Sequence, residues 1–171
     1  DGGYEAITLT NVDTTTSGAI TVTNYANNIV ATDAAALGGA DTDDVTLTTT
    51  STGIVSLGAV SAATSGDVTI SSVGTITDIT GAQDDVAEIT ADVFTVSAAT
   101  AIGTGSAQVD VNATTVNLTA TGDTYLDTVG SGGVAITAAL TGGNIVIDGR
   151  NTANDGGYEA ITLTNVDTTT S

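Results

Sequence analysis

The first seventeen residues of this chain, DGGYEAITLTNVDTTTS, return letter for letter at residues 155–171. Seventeen consecutive matches do not arise by chance, and the offset (155 − 1 = 154) defines a unit of 154 residues followed by the start of a second. Identity of this kind marks a tandem array whose units are copied or homogenised. It constrains the fold, because a unit must be able to join to a copy of itself. We expect residues 1–154 to form one full repeat unit and residues 155–171 to open the next, in a parent protein that carries more units. A duplication added by engineering is the plainer alternative.

A shorter rhythm runs inside the unit. AITLTN at residues 6–11 returns as AITVTN at 19–24, and DVTLT, GIVSL, DVTIS, TITDI, VFTVS, QVDVN, TVNLT, VAIT and NIVID follow. Each alternates apolar and polar residues with period two, the pattern of a half-buried strand. Short runs of Gly, Ser, Ala, Asn and Asp between them supply turns. Taking alternate strands gives a recurrence of about 22 residues (Ile7, Ile29, Ile54, Ile76, Phe94, Val116), within the range of stacked repeats. The sequence therefore predicts an all-β parallel β-helix, or β-solenoid, of six or seven such coils, coiled right-handed. A β-sandwich repeat is the alternative, but its core normally needs aromatic bulk, and here there is one Phe and no Trp.

Inward positions are expected at Ile7 and Leu9, Ile20 and Val22, Val45 and Leu47, and Val68 and Ile70. Val109 and Val111, Val116 and Leu118, and Ile145 and Ile147 join them. Thr8, Thr21, Thr46, Thr69 and Thr162 then face water or a second sheet. Residues 45–66 carry no charge and are long enough to span a bilayer, yet their alternation and many Thr, Ser and Gly predict two strands and a turn. Residues 32–37 (TDAAAL) predict a loop bulge or a single helical turn.

Composition narrows the chemistry. Thr, Val, Ile and Ala dominate, and 40% of residues are hydrophobic, more than a disordered acidic chain carries. The formal charge is −19, and the one basic side chain is Arg150. So acidic a chain repels nucleic acid and anionic lipid, which excludes both as partners. It also needs salt or bound cations to relieve its own repulsion. With no His, Lys or Cys there is no ordinary base or thiol nucleophile, and no enzyme is expected.

Particular residues suit calcium binding, ice binding or glycoside hydrolysis to different degrees. Asp41, Asp43 and Asp44 in GGADTDDV are closely spaced oxygen donors suited to calcium, and resemble a fragment of the GGxGxDxUx calcium repeat of RTX proteins. That segment lacks the third Gly and does not recur. Asp84-Asp85 and the turn at residues 154–157 are weaker versions. The same acids equally fit solvated turns, the commoner use of such residues. T-x-T motifs such as ITLT and VTLT resemble an ice-binding face, but ITDI, VDVN and IVID interrupt them. Paired carboxylates could serve glycoside hydrolysis, but Asp43-Asp44 and Asp84-Asp85 are adjacent and would point apart in a strand. Arg150 is expected to pair with a carboxylate.

The Thr/Ala/Gly/Asp strands, the tandem identity and the absence of Lys and Cys resemble the repeat regions of giant secreted bacterial surface proteins, the filamentous-haemagglutinin-like and autotransporter-passenger β-helices. The resemblance implies an extracellular, surface-attached fibre that adheres or acts as a spacer. Its units would stack head to tail on one another, with lateral fibre contacts possible. No cofactor is required, and calcium is the one candidate ion.

Overall fold

The computed structural model describes residues 5–81, 84–130, 132–140, 142–149 and 160–168. Among them every helix or strand is a β-strand, fifteen in all. This follows from the side chains: Val, Ile and Thr lose little rotamer freedom in a strand and pack well on a pleated surface.

All the strand pairs are parallel, and each joins a strand to one roughly a coil later in sequence. Three stacked rows result. The first runs through Ile7, Ile29, Val55, Ile76, Ile102, Thr124 and Ile145. The second runs through Val12, Ala34, Val60, Ile89 and Val111 to Thr128. The third runs through Ile20, Val45, Val68, Phe94, Val116, Ile136 and Leu163. The first row takes six steps from Ile7 to Ile145, the shortest 21 residues (76 − 55) and the longest 26 (55 − 29). Successive turns of backbone piled in register define a β-solenoid.

The expected inward residues line the interior. Val45, Leu47, Val68, Ile70, Val109 and Val116 are fully buried, and Leu9, Ile20, Val111 and Leu118 nearly so. Ile7, Val22, Ile145 and Ile147 are half-buried. Thr8, Thr21 and Thr162 face solvent, and Thr46 and Thr69 are partly covered. Residues 45–66 form two strands, Val45–Thr49 and Val55–Ala62, on different rows.

Two details differ from the sequence reading. The recurrence through Ile54, Phe94 and Val116 splices two rows: Phe94 and Val116 belong to the third, and Val55, not Ile54, stands in the first. A fixed step fails because two coils are longer, 26 residues from Ile29 to Val55 (55 − 29) and from Ile76 to Ile102 (102 − 76), and these hold residues 37–44 and 84–88 between strands. Slipping by one residue also exchanges the inner and outer faces. Residues 32–36 are no helical turn but part of the strand Ile29–Ala36. Ala34 and Ala36 are buried there.

Glycine is required where coils meet backbone to backbone. A Cβ on Gly53 would strike the carbonyl oxygen of Asn27, and one on Gly74 that of Gly53. The corner column thus stacks carbonyl on glycine.

Candidate functional site

Several buried polar side chains hold turns. Asn24 donates to the carbonyls of Glu5 and Asn28 at 3.1 and 2.9 Å and accepts from the amides of Ala26 and Asn27. Thr49, its partner on the next coil, donates to Ser72 Oγ, which in turn donates to the Gly53 carbonyl. These groups spend their hydrogen-bonding capacity on the backbone, as buried polar groups should.

Asp43 belongs with them. It is fully buried, Oδ1 accepting from the Gly18 amide at 2.6 Å and Oδ2 from the Ala40 amide at 2.7 Å. Asp44 Oδ1 accepts from the Asp67 amide at 2.9 Å, and Asp41 is exposed. The three acids of GGADTDDV therefore do not converge on one point: Asp43 ties the loop to the preceding coil and Asp44 ties it to the following one. Neither Asp43-Asp44 nor Asp84-Asp85 lies in a strand. Arg150 and the turn at residues 154–157 lie outside the described residues.

A different set of acids does converge. Asp110 is paired in register with Asp127 on the next coil, and Asp127 with Asp148 on the one after. On the preceding coil Glu88 stands one position before the Ile89–Val111 pair, and its Oε2 accepts from the Asp110 amide at 2.7 Å. Four coils thus place a carboxylate at the same height of the chain path, separated by the roughly 4.8 Å of adjacent strands. Like charges directly opposite across a ladder destabilise it.

The column is covered at Glu88, Asp110 and Asp127 and half-covered at Asp148. Val109 and Val111 face the core, so alternation sends Asp110 to the outer side of its strand. There residues 84–88 lead into the strand that starts at Ile89. Asp110 and Asp127 are 1% and 0% exposed, and Glu88 is 3% exposed. One oxygen each from Asp84, Glu88 and Asp110 lies within 4.8 Å of the others. Asp84 keeps this group open to solvent, its Oδ1 accepting from the Val86 amide at 3.1 Å. Asp110 Oδ1 is buried with no hydrogen-bond partner.

Burial dominates the electrostatics. Desolvation pushes the Glu88 carboxyl up to about 8, against the opposing Asp110 amide bond and with the help of the neighbouring charges of Asp110, Asp78 and Asp84. Desolvation likewise pushes Asp110 up to about 7, reinforced by Asp127, Asp84, Asp85 and Asp78. Among the described residues there is no basic side chain to offset them. Such a cluster can hold protons or a hard cation.

The sequence reading passed over Glu88, Asp110, Asp127 and Asp148. A signal was present: VDV, LDT and IDG each place one Asp between inward residues near a strand end. Comparison with protein-family models, with curated proteins and with solved structures returns no match. The architecture itself supplies the class, a β-solenoid carrying a tandem repeat.

Proposed function

We propose that the chain is a segment of an extracellular structural or adhesive fibre, in which identical β-solenoid units stack end to end, without enzymatic activity. The observation that carries this reading is one residue seen twice. Leu9, with the coil of Ile29–Ala36 stacked on it, is 7% exposed. Its copy Leu163, at the open end, is 57% exposed. The duplicate needs the next coil to bury what the original buries.

The backbone makes the join feasible. Ile7 donates to the carbonyl of Asn28 on the following coil, at 3.0 Å. Ala160, the copy of Ala6, accepts from Val134 on the preceding coil, at 2.9 Å. Those bonds use opposite edges of the same segment, so one copy can make both at once. An uncovered edge of this kind is otherwise a site of uncontrolled association. The second copy extends the row of Ile20 rather than that of Ile7, so successive units are turned by one row as they stack. Secretion and a bacterial surface origin rest on the resemblance described above, and on the lack of Cys and Met, which leaves little to oxidise.

Proteins carrying one, two and three complete units should appear in electron micrographs as rods that lengthen by about 30 Å per unit, six steps of roughly 4.8 Å. Separate beads of constant size, or particles that thicken without lengthening, would contradict the fibre reading.

A further inference from the structure

We infer that Asp84, Glu88 and Asp110 form a calcium site, built where residues 84–88 approach the column of acids. The site lies within one unit, so it stands or falls apart from the fibre reading.

Geometry comes first. Calcium binds oxygen at 2.3–2.6 Å, so two ligands of one ion lie up to about 5 Å apart. The three carboxylates already present one oxygen each within 4.8 Å of one another. Few contacts would have to move. The ligand set is oxygen only, in a chain without His or Cys, which selects a hard cation over zinc or copper. Calcium suits it better than magnesium, because it tolerates irregular coordination and sheds water more readily.

Burial is the second and independent observation. Asp110 is 1% exposed, and its Oδ1 has no hydrogen-bond partner. A buried acceptor without a donor costs about 1–3 kcal/mol, more if charged, unless something fills the place. Glu88 Oε2 is fixed by the Asp110 amide, which holds that carboxylate toward the same point. Asp84 is exposed and gives an ion a way in.

Titrating the EGTA-treated 171-residue protein with calcium chloride at pH 8, in excess sodium chloride, tests this by calorimetry and by melting temperature. We expect a saturable site and a higher melting temperature with calcium. Glu88→Gln combined with Asp110→Asn should abolish both responses while leaving the ion-free protein at least as stable, since it removes repulsion. Should that pair fail to fold, Asp84→Asn alters only an exposed ligand and should weaken binding roughly tenfold or more. Asp41→Asn should behave as the parent. Absence of a saturable response in the parent overturns the assignment. So does a response that survives all the variants at the site, or one that vanishes with Asp41→Asn.

Discussion

Phe94→Ala is expected to lower the unfolding free energy by about 4 kcal/mol, in line with other buried Phe truncations. Phe94 is the single Phe of the chain and has no exposed surface. It stands in the third row between Val68 on the preceding coil and Val116 on the following one. Neighbouring coils cannot close the space by shifting, because their strands are hydrogen-bonded in register on both sides. At 2–4 °C per kcal/mol for a chain of this size, the melting temperature should fall by about 8–16 °C. Phe94→Leu should recover most of the loss. Denaturant titration checks it: a lower midpoint with unchanged slope is the expected form. A change under 1 kcal/mol would mean that the row through Phe94 is not a packed interior.

Asp43→Ala is expected to cost about 3 kcal/mol, and by the same amount with calcium or with a chelator. The carboxylate accepts from two amides, Gly18 on the preceding coil and Ala40 in its own loop, and is fully buried. Removing it strands both donors, each worth about 1–3 kcal/mol when left unmade in the interior. The loop would also detach from its reciprocal bond, in which the Asp43 amide donates to the Ala40 carbonyl at 3.0 Å. Asp43→Asn keeps one acceptor oxygen and should restore about half. Thermal melts in calcium and in EGTA provide the check. A loss seen only in calcium would make Asp43 an ion ligand and not a fastener of backbone.

The β-solenoid was legible because its signals are local and redundant. Alternation at AITVTN or DVTIS fixes a strand and its inner face within a few residues, and Ile20, Val22, Val68 and Ile70 lie as that alternation requires. Register was less legible. A coil is free to lengthen at its corners, and the 26-residue coils from Ile29 to Val55 and from Ile76 to Ile102 shift every later position against a fixed period. The strand over residues 32–36 was missed because Ala-rich stretches carry helical propensity. Here the stacking of Ala34 on Val60 decides the outcome.

The acidic column was hidden for a related reason. Glu88, Asp110, Asp127 and Asp148 are far apart in sequence and meet only once the coils are stacked. Asp41, Asp43 and Asp44 are close in sequence, yet Asp43 and Asp44 turn their oxygens to different backbone amides and Asp41 is exposed. For a coiled chain, ligands separated by one coil are better candidates than ligands separated by one residue.

The most direct measurement uses the absence of native cysteine. Thr46 and Thr69 are register partners on successive coils. Cysteines placed at both should form a disulfide readily, since neighbouring strands bring Cα atoms within the 4.4–6.8 Å that the bond requires. Thr48 and Ser56 lie on different rows here, but would face each other if residues 45–62 formed an antiparallel hairpin. Rapid oxidation of the Thr46→Cys, Thr69→Cys pair with none for Thr48→Cys, Ser56→Cys is the result the stacked coil predicts. The reverse pattern would contradict it.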